Sequence, residues 1–417
     1  MARWIEASYT RLISMAKLRQ RSSAPVGRLL GPADPEKAKL RLLVIADAAG
    51  ATLQINLLRP AHAAIAAGEM RMLILTEEDE RLAVTSGRSA QQLFVDAWQQ
   101  AAPHMVFVSR YGGILAETLL QMSASKNTPL VYHIDDNLFE VPPEAGIDKV
   151  KKYGAPARQQ AIRALLKGAD AVYLSTARLA HQLREHTQLA GSVFAGEIAS
   201  ASDPIPYNRL VAPSQPRFGY MASSSHAADL QLALPGIIAG LTANPDVHFT
   251  VFGSLRPPPE LGGFGPRVEH VPAVSDYDGF LSQLAAMRWD WGLAPLRPGR
   301  FNEAKTDTKW VEYTAAGVPT IVSDHPIYHD CSQNGAAVRV CDTKWAEALP
   351  QVLANRALAE RTLAAARERL IQQHGLGHMA TQLSHVLKLA GLSPERAEVV
   401  SKSHSASENQ ATVLKPD

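Results

Sequence analysis

Short apolar runs alternate with longer segments of helical period along this chain, and the series occurs twice. In the first half the strand candidates fall at 42–46, 72–75, 105–109, 130–134 and 171–174, with helix-period segments near 55–66, 90–100, 113–123, 156–167 and 176–186. Strands that read as near-continuous apolar runs, each followed by a helix, belong to parallel sheets covered on both faces. A proline-punctuated stretch, DPIPYNRLVAPSQP (203–216), separates this series from a second one with strands at 218–221, 248–252, 268–271, 291–294, 320–322 and 337–340. Helical patterns at 344–355, 358–373 and 379–390 follow. A chain of 417 residues exceeds one ordinary core. The expected fold is therefore α/β, with two Rossmann-like doubly wound domains facing each other across a cleft. Expected bounds are a basic helix and linker at 1–35, a first domain at 36–208, a second at 209–395 whose last helix crosses back, and a disordered tail at 396–417. Ligands of open α/β sheets bind beyond the carboxyl ends of the strands, so the chemistry should collect in the cleft.

Composition narrows the partners. The formal net charge of +2 gives no global attraction to nucleic acid, and none is expected as a partner. Two cysteines, Cys331 and Cys341, make no disulfide framework and read as small core residues of a protein in a reducing cytoplasm. No apolar run reaches the roughly 20 residues that span a bilayer. Residues 2–21 place Ile5, Tyr9, Leu12 and Ala16 at helical spacing among five basic residues. Such a helix docks either on the protein's own surface or on the anionic inner face of a membrane.

The segment FNEAKTDTKWVEYTAAGVPTIVSD (301–324) joins a polar loop, a charged helix, a turn and a short strand. If the helix runs from about 307 to 316, Lys305, Lys309 and Glu312 lie on one face at i, i+4 and i+7. A diphosphate favours lysine charge beside a helix N-terminus, and a ribose diol favours a carboxylate. A nucleotide-sugar carries both groups.

Four ordered blocks, FGYMASSSHAADL (218–230), VHFTVFGS (247–254), WDWGLAPL (289–296) and the 301–324 segment, resemble the nucleotide-sugar domain of retaining glycosyltransferases of the GT-B fold, family 4. That resemblance implies transfer of a sugar from a nucleoside diphosphate to a glycan or lipid-linked acceptor in bacterial polysaccharide synthesis, with no cofactor and no metal. It puts Glu312 at the second glutamate of the E-x7-E motif, on the ribose, while the first glutamate falls at Ala304, with Glu303 one position away. A subgroup pattern, N-x-x-K-[ST]-x-x-K-x-x-E, matches through Asn302, Lys305, Thr306, Lys309 and Glu312, so Lys305 is expected at the diphosphate or donor sugar. The Ser223 and Ser224 turn would meet phosphate oxygens, with His226 either reaching the phosphate or capping the helix at the surface, Gly253 leaving room for the nucleotide and Val271 to Val274 holding the base by main-chain contacts. An arginine and a Lys-Gly pair usual in the family are missing from that turn, which leaves Lys305, Lys309, Arg297 or Arg300 to meet phosphate charge.

In PLVYHIDDNLF (129–139), Asp135 and Asp136 take the place of the family's His-Asp pair at the cleft, the alternative being helix capping, and Arg110 either faces the cleft or merely pairs with an acid. Asp276-Tyr277-Asp278 has the D-x-D spacing of metal-dependent transferases but reads as a capping segment. Trp289 and Trp291 alternate along a strand and read as core. A catalytically silent sugar-nucleotide binder of the same fold is the competing reading, and a sugar-nucleotide epimerase is a third.

Overall fold

The computed structural model describes residues 27–205, 216–274 and 276–403, organised by two sheets. The first contains β1 (Arg28–Leu30), β2 (Leu40–Ala46), β3 (Met70–Thr76), β4 (Met105–Ser109), β5 (Leu130–Ile134), β6 (Ala171–Leu174) and β7 (Ser192–Ala195). Their order is β1-β3-β2-β4-β5-β6-β7, parallel except where β1 meets β3. The second contains β8 (Arg217–Met221), β9 (His248–Phe252), β10 (Val268–Val271), β11 (Trp291–Ala294), β12 (Thr320–Ser323) and β13 (Val338–Val340), ordered β10-β9-β8-β11-β12-β13 and parallel throughout. Two edge strands escape the sequence pattern: β1 is three residues inside a Pro/Gly-rich spacer, and β7 is only half-buried.

Each sheet is covered on both faces. Along β2, Leu43 and Ile45 enter one core while Leu42, Val44 and Ala46 enter the other, the period-two pattern of a doubly covered strand. In the second domain Trp289 and Trp291 are both buried. Cys331 is buried, whereas Cys341 is exposed, so only the first is a core residue.

The helix Leu376–Leu389 packs Ala380, Leu383, Val386 and Leu387 into the core on one face of the first sheet. Beyond it a short helix, Pro394–Ala397, leads into Val399 and Val400, which together with Ala397 are buried in that same core. Residues 396–403 are thus ordered, contrary to the expected start of a disordered tail at 396. Three closely spaced apolar residues find burial there without forming a run long enough to stand out in the sequence. The N-terminal helix at 2–21, linker residues 206–215 and tail residues 404–417 lie outside the described residues.

Strand order reverses between β2 and β4 in one sheet and between β8 and β11 in the other. These are the two switch points where crevices open in doubly wound sheets. Asp47 and Arg110 follow β2 and β4; the turn starting at Ser223 follows β8, and the loop from Leu296 follows β11. The two crevices face each other. Lys149 Nζ of the first domain donates to Ser225 Oγ of the second at 3.0 Å, Arg59 pairs with Asp278 at 3.5 Å, and Arg178 pairs with Glu303 at 2.7 Å.

Candidate functional site

The helix expected at 307–316 runs Thr308–Ala315, so Lys305 precedes it and does not share a helical face with Lys309 and Glu312. Two cavities separate these groups. The larger, about 540 Å³, is lined by Lys309 and Glu312, by Ser223, His226, Phe252 and Gly253, and by Gly50 and Gln54 of the first domain. The smaller, about 310 Å³, takes Lys305, Asn302 and Arg297 together with Ser225, Asp229 and Glu140.

Glu312 is buried at 7 % exposure, and Tyr277 donates its hydroxyl to Oε1 at 2.8 Å. Burial dominates and lifts the carboxyl from 4.5 to about 7, although Tyr277, Lys309 and Arg59 all favour the charged form. Lys309 donates to the Met221 carbonyl at 3.1 Å and lies 5.3 Å from the centre of the Tyr220 ring. Burial lowers its ammonium from 10.5 to about 8. A buried acid and a buried base one helical turn apart on one wall can together recognise a hydroxyl pair and an anionic group.

The turn after β8 is less open than a glycine-rich phosphate loop. Ser224 N–H donates to Ser254 Oγ at 3.0 Å and His226 N–H to the Ser223 carbonyl at 3.0 Å, so two of its backbone donors are already committed. His226 Nδ1 meets Asp229 Oδ2 at 2.8 Å, and burial lowers the ring to about 4. It is therefore neutral at pH 7 and brings no positive charge to a phosphate. Gly253 has φ +128°, and a Cβ there would stand 2.2 Å from the Ala222 carbonyl oxygen. Only glycine fits where β9 ends against this turn. Within the stretch Val271 to Val274 expected at the base, Ala273 and Val274 line the cavity, while the Val271 carbonyl accepts the Gly253 N–H at 2.9 Å.

Several expected contacts are already spoken for. Arg300 is held by Glu140 at 2.8 Å and by Glu185, and Arg297 lies 3.6 Å from Glu144. Asn302 Nδ2 donates to the Arg297 carbonyl at 2.9 Å. Thr306 lines neither cavity, because its hydroxyl bonds Thr308 at 2.6 Å, beside Ser200. Ala304, where the family's first glutamate would fall, is buried in a first-domain core, and Glu303 is taken by Arg178. Lys305 extends 5.0 Å from the Phe301 ring centre and forms no ion pair among the described residues.

On the opposite side of the cleft, Asp135 and Asp136 converge on Arg110, with Asp136 at 2.9 Å and Asp47 3.4 Å from the same guanidinium. Thr52 donates to Asp135 Oδ2 at 2.7 Å. Burial is the largest single influence and would raise the Asp135 carboxyl, but Arg110, His133 and the Thr52 hydrogen bond together outweigh it and the net direction is down. Asp47 moves the other way, raised by burial against the pull of Arg110 and Lys152. Arg110 adopts φ +54°, a left-handed conformation that bulky residues rarely hold. Sequence reading singled out Arg110 but missed Asp47; the available signal was an acid immediately after a buried parallel strand. It also treated Tyr277 only as part of a capping segment. Asp276 does cap, accepting from Gly279 N–H at 2.6 Å, but the Tyr277 hydroxyl reaches Glu312. Among the described residues no three His, Cys, Asp or Glu side chains are grouped to hold a metal ion.

Residues 236–385 match the family model described as glycosyl transferase-like. No curated protein matches the chain. Among solved structures, Anabaena Alr3699/HepE in complex with UDP-glucose aligns with TM-score 0.55 at 14% identity over 84% of this chain and 99% of that one. WaaG, a glycosyltransferase involved in lipopolysaccharide biosynthesis, aligns with TM-score 0.56 at 12% identity over 84% and 100%. A glycosyltransferase from Rickettsia africae gives TM-score 0.56 at 12% identity over 85% and 100%. The shared two-sheet arrangement is the GT-B fold.

Proposed function

We propose that this glycosyltransferase of the GT-B type takes a hexose from a nucleoside-diphosphate donor and transfers it with retention to a glycan or lipid-linked acceptor in polysaccharide assembly. The observation that carries the reading is the pairing of Lys309 and Glu312 on one wall of a 540 Å³ cavity between the domains. In this reading Glu312 accepts the ribose hydroxyls, and the lysines offset the diphosphate. The HepE structure holds UDP-glucose, which supports a hexose donor of this class.

Asp135 and Asp136, fixed by Arg110, stand where an acceptor hydroxyl approaches from the first domain. A carboxylate there orients that hydroxyl and stabilises positive charge at the anomeric carbon, while the leaving diphosphate takes the hydroxyl proton. Lysine cations make the transfer independent of a metal, so EDTA is expected to leave activity unchanged. The cytoplasm, with contact at the inner membrane face through residues 2–21, is the proposed location.

A second reading, a silent sugar-nucleotide binder, draws on the burial of Ala304 and the engagement of Glu303 by Arg178, which remove the first motif glutamate from the cavity. Two measurements separate them. A thermal-shift panel of UDP, GDP, ADP and dTDP identifies the donor base, because a ligand bound only by the folded state raises its melting point. Incubation with the matching nucleotide-sugars then tests for slow donor hydrolysis, expected of the transferase and not of the binder.

A further inference from the structure

The turn after β8 carries serines where a phosphate site needs cations, and most nearby cations are engaged. Arg297 and Arg300 face glutamates, and Lys309 is committed to the Met221 carbonyl. His226 is occupied by Asp229. Besides Lys309, which bonds a carbonyl and no carboxylate, Lys305 in the second domain and Lys149 in the first form no ion pair among the described residues.

Lys149 lies on the helix Ile147–Gly154, one turn before Tyr153. That tyrosine donates to Asp47 at 2.8 Å and receives Arg110 Nη2 at 3.2 Å, which ties the helix to the acidic cluster at the first sheet's switch point. Residues four apart share a helical face, so Lys149 is aimed at the cleft by the same contacts. It crosses to Ser225 Oγ at 3.0 Å, and Ser225 in turn lines the smaller cavity with Lys305 and belongs to the turn that begins the helix Ala227–Ala243. Burial lowers the Lys149 ammonium, Asp136 opposes that shift, and the nearby charges of Arg110 and Lys305 reinforce it. An arriving anion would relieve that crowding of positive charge.

We propose that Lys149 is the cation missing from the second domain's phosphate turn: it binds the sugar-bearing phosphate of the donor from across the cleft, the phosphate that is terminal in the free diphosphate, so that the diphosphate is fully neutralised only when the two domains face each other. The proposal rests on the donor-site reading above and adds to it a residue outside the matched family region.

Titration of the full chain with UDP, GDP, ADP and dTDP, and with the four corresponding monophosphates, tests it. Lys149→Met is expected to weaken the bound diphosphate about 10-fold, the scale of one charge-assisted contact, and to leave the monophosphate within about twofold. Lys149→Arg should restore most of the diphosphate affinity. Equal loss for mono- and diphosphate, or wild-type diphosphate affinity in Lys149→Met at unchanged melting temperature, overturns the proposal while leaving the donor site intact. A wild-type chain that binds none of the eight nucleotides overturns both.

Discussion

Replacing Glu312 by glutamine should make the protein more stable and worse at holding its donor. Burial lifts this carboxyl from 4.5 to about 7, so the folded protein keeps a proton there that the unfolded chain releases. Its favourable contribution is complete below about 4.5 and is lost as pH rises to about 7; above that, ionised Glu312 costs the fold on the order of 3 kcal/mol. Glutamine removes the charge and keeps an acceptor for the Tyr277 hydroxyl. At pH 8 the melting temperature should therefore rise by a few degrees, reduced by whatever Lys309 loses when its charged neighbour disappears. At pH 5, where the native group is already protonated, the gain should vanish. Donor binding moves oppositely, because a charged acceptor bonding the ribose contributes about 1.5–3 kcal/mol, or 10- to 150-fold in Kd. Calorimetric titration at pH 8 and melting curves at pH 5 and 8 measure both effects. A glutamine variant that binds the nucleotide as tightly as wild type, or that melts lower at pH 8, refutes the assignment of Glu312 as a strained ribose acceptor.

Donor affinity should peak between about pH 7 and 8, since Glu312 must be ionised and Lys309 protonated; titration from pH 5.5 to 9.5 should lose the acidic limb in Glu312→Gln. Gly253→Ala must place a Cβ against the Ala222 carbonyl at φ +128°, so calorimetry should show a loss on the order of 1–3 kcal/mol and weaker nucleotide binding. Asp135→Asn should keep nucleotide affinity but lower kcat on the order of 100-fold, and an equal fall in both would argue for a purely structural role.

Much of the architecture was legible in the residue pattern because buried parallel strands leave an unambiguous trace. β4, β5, β6, β9, β10 and β11 begin and end where the apolar runs do. The edge strands β1 and β7 were not legible, since neither is fully covered and neither needs a continuous apolar run. Within the candidate site, Lys309 and Glu312 could be paired from helical spacing alone, because one helix carries both. Lys305 could not be placed in the same way: the helix starts three residues after it, and whether a loop side chain joins a helical face depends on where the backbone breaks.

Residue order by itself determined the two doubly wound sheets, the glycine after β9 and the acid and base one turn apart on a helix. Those follow from local periodicity, and local sterics enforce them. Only the tertiary structure decided which candidates are available to a ligand. Arg300, Arg297 and Glu303 are consumed by partners on the other domain, Arg110 collects three carboxylates from two strand ends, and Lys149 reaches Ser225 over 76 positions of chain. Such pairings depend on how two separately folded sheets face one another, and the spacing of residues along the chain carries no information about that distance.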